Sequence, residues 1–413
     1  MTTGNNFNTS DNEDDGKRQS SGSLARVHKA MRLLLKDPDI EALEIAMATV
    51  QANRMSADAV AAFLVGPPSS GKTEIIMACS GIPSTHWLST ITSKTLASGL
   101  STTATKGAET ALLLQLKEDG ITTLLLKEFG SVLSMRSSDR TELISQLREV
   151  LDGQYRKQHG SGREVNWTGV LGMVAGVTGE LEKYWGTVRK IGDRWIWIRP
   201  RTPKTSEDRL LIAREAIDTT GDGDRKREAL KRAVTEHTQK LSGVRHGKVE
   251  CSDKRKEQIA LAAEYLAVLR TPVDRDNYSK QVVSVPESEI PARLAKGLYN
   301  LVLGIVLIRD RAGKSRVTDQ DVKTIFRVVR DSIPSLRRVI IEQLINGTST
   351  VKEISKNTEL SESTIGRSIE ELRMLGFVTV DAGYTGLTGM EGRHPDLWSL
   401  TDRALSPPGI WNQ

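Results

Sequence analysis

The stretch from Gly66 to Thr73, Gly-Pro-Pro-Ser-Ser-Gly-Lys-Thr, constrains the fold of this chain more than any other. It has the spacing G-x-x-x-x-G-K-S/T and lies between two elements of different period. The apolar run Ala61-Ala62-Phe63-Leu64-Val65 before it predicts a short buried strand. Residues 73–79 after it predict the first turns of a helix, closed by Gly81 and Pro83. Strand, loop and helix in that order make a unit of an α/β fold. Gly66 and Gly71 let backbone N–H groups turn inward into a concave anion nest, completed by Pro67, Pro68, Ser69 and Ser70. The helix N-terminus adds its positive dipole.

Such a loop predicts a nucleoside triphosphate, ATP with Mg²⁺, as ligand. Lys72 is placed to reach the β- and γ-phosphates, and the Thr73 hydroxyl to ligate the metal. A second apolar run, residues 121–126, predicts a buried strand followed by Lys127-Glu128-Phe129. Glu128 at a strand end can hold the magnesium shell or orient the attacking water; an ordinary strand with a solvated charge after it has the same pattern. Lys127 stands where a first acid is usual. A third apolar strand, Val170–Val177, ends at Thr178, which can face the phosphates or simply start a turn. Gly192-Asp193-Arg194 precedes the alternating strand Trp195–Ile198. Arg194 is a candidate arginine finger for a neighbouring subunit's site, or a surface cation paired with Asp193.

The remaining segments order themselves around that core. Residues 1–22 are polar and poor in apolar side chains, which predicts disorder. Residues 23–57 predict two helices, and residues 89–92 a short strand followed by a loop. Helices are expected over 108–116 and 139–151. Tyr155–Val165 predicts a β-hairpin turned by Gly160-Ser161-Gly162, with Lys157, His159 and Arg163 around the turn. A basic linker, 199–204, leads into helices expected over 208–218, 225–241 and 253–270. Gly221-Asp222-Gly223-Asp224 lacks the spacing and final Glu of a calcium loop. Arg293 lies in the first turn of a further helix, against the dipole, as a phosphate-sensing cation or a partner of Glu287 or Glu289.

From residue 331 the pattern becomes three helices and a two-stranded ribbon, a winged helix-turn-helix. Its third helix carries Ser363, Thr364, Arg367, Ser368 and Arg373 on or near the exposed side, and Arg393 and His394 end the wing loop. Acids Glu362, Glu370 and Glu371 share that helix, so both DNA and protein are candidate partners.

The order of these parts resembles an AAA+ ATPase, most closely the helicase-like ATPases of phages and mobile elements and more distantly minichromosome maintenance helicases. The likeness runs over roughly residues 24–400. It implies a P-loop nucleoside triphosphatase core at 58–203, N-terminal helices at 23–57, a helical lid at 204–330 and the winged helix at 331–405. It also implies that Thr178 is sensor one, Arg194 the finger and Arg293 sensor two. In that group a hairpin before the sensor strand enters a ring pore and touches DNA, here through Lys157, His159 and Arg163. The expectation is a ring-forming homo-oligomer, such as a hexamer, that moves on DNA. Initiators, helicase loaders and ATP-switched regulators share the same domain order.

Composition sets the outer limits. The 413 residues carry a net charge of +6, which permits a nucleic-acid partner without requiring one. Two distant cysteines, Cys79 and Cys251, exclude a disulfide framework. The start is polar and acidic, and no apolar run approaches the ~18 residues of a membrane span, so a cytoplasmic location is expected.

Overall fold

The computed structural model describes residues 10–56, 58–97, 111–158, 164–184, 194–218, 220–241, 243–244, 248–276, 278–309, 315–381, 396–407 and 409–411, with side chains from residue 22 onward. The described residues of Met1–Ser252 and Tyr299–Asp321 form one compact unit, and those of Asp253–Leu298 and Val322–Gln413 a second. The helices of the expected lid region, 204–330, are shared between the two.

The first unit is built on a parallel sheet of β1 (Ala61–Val65), β2 (Thr85–Leu88), β3 (Thr123–Leu126), β6 (Gly172–Val177) and β7 (Trp195–Ile198). Their spatial order is β2-β3-β6-β1-β7, and every pairing is parallel. Residues of β1, β3, β6 and β7 are buried throughout, as strands covered on both faces must be. Connections pass through α3 (Lys72–Ala78), α4 (Ser93–Ala97), α5 (Leu112–Glu118), α6 (Gly130–Leu133) and α7 (Ser137–Leu151). The hairpin β4 (Gln154–Gln158) and β5 (Glu164–Thr168) is antiparallel, as expected, and its turn residues 159–163 lie outside the described residues.

Two expectations shift. The strand foreseen at 89–92 is β2, at Thr85–Leu88; it is a half-exposed edge strand in which His86 and Trp87 blur the alternation. Helix α1 (Ser10–Leu34) begins inside the stretch expected to lack structure. The buried apolar stripe of Val27 and Met31 anchors this helix.

One face of the sheet buries Phe63, Trp195, Trp197 and Phe129 together with the hairpin's Tyr155, Val165 and Trp167. Phe63 stacks on Trp195 at 4.0 Å and meets Phe129 edge-on at 4.8 Å. The other face carries α2 (Ile40–Met55) and α3. Asn53 of α2 fastens that layer: its Oδ1 accepts from Val60 N at 2.7 Å, and its Nδ2 donates to Val60 O and Thr123 Oγ1, each at 3.1 Å. A Cβ on Gly172 would lie 2.1 Å from Asn53 Nδ2 and 2.3 Å from Val60 O. Gly172→Ala is therefore expected to destabilise the unit by about 1–3 kcal/mol, seen as a lower urea midpoint at unchanged slope. An unchanged midpoint would refute this close approach. Helices α8 (Ser206–Asp218) and α9 (Gly223–Gln239) complete the described part of this unit with the second half of α11 (Ala292–Arg309).

The second unit holds α10 (Asp253–Leu269), most of α12 (Asp319–Ser332), then α13 (Ser335–Leu344), α14 (Val351–Thr358), α15 (Glu362–Met374) and the ribbon β8 (Val378–Asp381) with β9 (Leu397–Leu400). Local chemistry sets these boundaries. Thr350 and Glu353 form a reciprocal capping box on α14, and Ser361 caps α15 by accepting from Thr364 N at 3.2 Å. Ile365, Ile369 and Leu372 of α15 are buried, as are Ile340, Ile341 and Leu344 of α13 and Ile354 of α14. The three helices and ribbon are the arrangement foreseen. The wing residues Arg393 and His394 lie outside the described residues.

Candidate functional site

Parallel pairing brings three expected residues to one edge of the sheet. Val65 is level with Val177, and Leu126 with Ala175. Gly66 N donates to Val177 O at 3.1 Å, and Phe129 N to Gly176 O at 2.7 Å. Gly66, Glu128 and Thr178 therefore emerge side by side at the carboxyl ends of β1, β3 and β6. That edge is where open α/β sheets bind ligands.

The loop's shape follows from two left-handed residues, Ser69 at φ 63° and Gly71 at φ 81°. Pro67, Pro68 and Ser69 are exposed, while Ser70 and Thr73 are half-buried. Lys72 is 7 % exposed, and its ammonium donates to Gly66 O at 2.7 Å and Pro67 O at 2.6 Å, with Ser70 Oγ at 3.4 Å. Burial lowers the Lys72 pKa, and the charge of Glu128 acts the other way, so the two groups share one electrostatic environment. Glu128 is exposed, with Oε1 accepting from Gly130 N at 2.8 Å. Thr178 is half-buried at the tip of β6.

The other expected residues lie elsewhere. Arg194 precedes β7, whose Trp195 is level with Ala61, so it sits at the sheet edge opposite the loop. Its guanidinium is only 8 % exposed and grips Asp152 with both arms, Nε to Oδ1 at 2.8 Å and Nη2 to Oδ2 at 2.5 Å. The neighbouring Asp193, its expected alternative partner, lies outside the described residues. Arg293 is exposed in the first turn of α11, in the part assigned to the second unit. Lys157 pairs with Glu142 of α7 at 2.9 Å, while His159 and Arg163 fall outside the described residues.

Sequence reasoning missed two cations at the loop edge. Arg199 follows β7 directly, and the Leu64–Ile198 register sets it beside Val65. It donates to Glu182 at 2.8 Å and lies over the Trp197 ring at 5.2 Å. Arg227 of α9 grips Glu74, in the first turn of α3, at 3.0 and 3.1 Å. Only the position of Arg199 immediately after an alternating strand could have flagged it. The Arg227–Glu74 pair leaves no local signal.

On α15, Ser363 and Arg367 are exposed one turn apart, and Arg367 Nε donates to Ser363 O at 3.0 Å. Thr364 is half-buried and its hydroxyl meets Ser361 Oγ at 2.8 Å. Arg373 is exposed, but Ser368 is buried: it falls on the Ile365–Ile369–Leu372 face and is no surface contact. Among the described residues no group of three or more His, Cys, Asp or Glu could hold a metal, and no helix is long and apolar enough to cross a membrane.

No curated protein matches the chain. Residues 334–380, spanning α13 to β8, match the family model of the bacterial regulatory protein, arsR family. The match covers a small part of the 413 residues. This C-terminal segment is similar to the helix-turn-helix of that family, and the similarity supports DNA binding by it.

Proposed function

We propose that this chain is an ATPase of the P-loop AAA+ type whose turnover is coupled to DNA held by its C-terminal helix-turn-helix domain. One observation carries the reading: Gly66, Glu128 and Thr178 emerge together where β1, β6 and β3 end, with Lys72 folded into the loop between them. The donor set suits the ligand. Backbone N–H groups and an ammonium fit a polyphosphate, and the oxygens of Thr73 and Glu128 fit Mg²⁺, a hard cation bound through few protein ligands and substrate phosphates. Bound Mg²⁺ would neutralise charge on the phosphates. Lys72 would exchange the loop carbonyls for phosphate oxygens, and Glu128 and Thr178 would orient water beside them.

On the DNA side, Ser363 and Arg367 would enter the major groove from α15. The similarity to bacterial regulators favours an ATP-switched binder, an initiator, loader or regulator. The β4–β5 hairpin is the observation on the side of a ring-forming, helicase-like motor. The test is ATP hydrolysis with and without duplex DNA, beside unwinding of a forked duplex. Duplex-stimulated hydrolysis is expected, and Arg367→Ala should weaken duplex binding roughly 10-fold or more. Hydrolysis indifferent to DNA would sink the coupling. Strand separation would move the assignment from switch to motor.

A further inference from the structure

The segment between α10 and α11 lies against α15, a helix of the arsR-similar stretch. Residues 274–276 and 278–283 pair with each other: Arg275 bridges to Val282, Val283 N donates to Asp274 O at 3.0 Å and Asp276 N to Gln281 O at 2.9 Å. Arg275 is the anchor. Its Nη1 donates to Lys280 O at 2.8 Å, and its Nη2 to Arg367 O at 2.9 Å and Glu370 Oε2 at 2.8 Å. Its Nε reaches Glu371 Oε1 at 3.3 Å. One guanidinium thus binds the carbonyl of Lys280 and that of Arg367, which places the tip of the hairpin beside the exposed stripe of α15. The same cation faces Glu370 and Glu371, the acids that would otherwise repel a phosphate backbone.

Hydrogen bonds tie the described residues of the turn together. Asp276 Oδ1 accepts from Tyr278 N at 2.9 Å, Ser279 N at 2.7 Å and Ser279 Oγ at 3.0 Å, which occupies the one acid at the turn. Lys280 is held at φ 58°, in the left-handed region, and is exposed. Tyr278 projects with 95 % of its surface exposed. An aromatic ring with a hydroxyl and a cation are thus exposed on a turn that Arg275 ties to α15.

We propose that the 274–283 hairpin is a second DNA-contacting element, which Arg275 docks on α15 so that Lys280 and Tyr278 engage the sugar-phosphate backbone next to the bases faced by Ser363 and Arg367. This rests on the DNA-binding reading of the domain. Lys280 supplies charge to a phosphate, Tyr278 contacts sugar and phosphate with ring and hydroxyl, and Arg275 acts as a positioning residue through the hairpin and the two acids.

The test uses the full chain and a mixed-sequence duplex of about 30 base pairs, with affinity followed by fluorescence anisotropy between 50 and 200 mM salt. Lys280→Ala is expected to weaken binding several-fold and to reduce the slope of log K against log salt by about 1. Tyr278→Ala is expected to weaken binding with the slope unchanged. Arg275→Ala should weaken it too, and by less when Glu370→Gln and Glu371→Gln are already present, a dependence that simple loss of fold does not give. Arg367→Ala separates the two readings. If it weakens binding while Lys280→Ala and Tyr278→Ala leave both affinity and slope at wild-type values, the hairpin proposal is overturned and the helix reading stands. If the wild type binds no duplex at all, both are overturned.

Discussion

Lys72→Ala is expected to cut ATP turnover by at least about 10²–10³-fold, the cost of removing one preorganised donor from a transferring phosphoryl group. In the folded chain this ammonium is 7 % exposed and bound to the loop's own carbonyls at Gly66 and Pro67. Those carbonyls begin the loop and lie at its half-exposed and exposed positions, so water can satisfy them once the side chain is gone. The substitution should therefore leave the melting temperature without nucleotide close to wild type. With ATP at 100 times its Kd, the wild type should gain about 2.7 kcal/mol of stability, and the variant should lose most of that gain. Lys72→Arg is expected to be nearly as inactive, because a planar fork does not replace a compact ammonium inside a tight loop. Wild-type turnover by Lys72→Ala would remove the phosphate cradle from the proposal.

What was legible in the sequence is what short-range patterns encode. The buried strands β1, β3, β6 and β7 are apolar runs bounded by turn residues, and the boundaries of α15 follow from Ser361 and Gly376, the latter at φ 77°. From such runs the convergence of Gly66, Glu128 and Thr178 could be expected, since parallel strands bring their carboxyl ends to one edge. Pairings across long sequence separations were not legible. Asp152, at the C-terminal end of α7, meets Arg194 across 42 positions of sequence, a pairing that no local pattern offers. Arg275 finds Glu370, and Arg199 finds Glu182, through the placement of whole elements. Ser368 was misplaced by one position on the helix, which on a 100° step is the difference between surface and core. Ion pairs depend on tertiary register, and periodicity carries no record of it.

Arg194→Ala is expected to lower ATP turnover by roughly 10³–10⁵-fold if this arginine is the finger of a neighbour's site. The geometry makes the role testable because it cannot be served within one chain. Arg194 sits just before β7, level with the start of β1, and the loop leaves β1 at its other end after Val65. Five residues of strand at about 3.3 Å each put roughly 16 Å between those ends, beyond the reach of one side chain. Activity would then require a second copy. Mixing Arg194→Ala with Lys72→Ala, each inactive alone, should restore part of the turnover, because one variant keeps its loop and the other its arginine. Asp152→Asn separates this from a structural role. The carboxylate holds both arms of the guanidinium, so a merely structural pair predicts that its loss mimics Arg194→Ala. A finger held in reserve predicts turnover at or above wild type when the carboxylate is removed. A mixture no more active than its parts, together with Asp152→Asn as impaired as Arg194→Ala, would return Arg194 to the scaffold of the sheet and leave the loop to be completed by groups of its own chain, Arg199 on that edge among them.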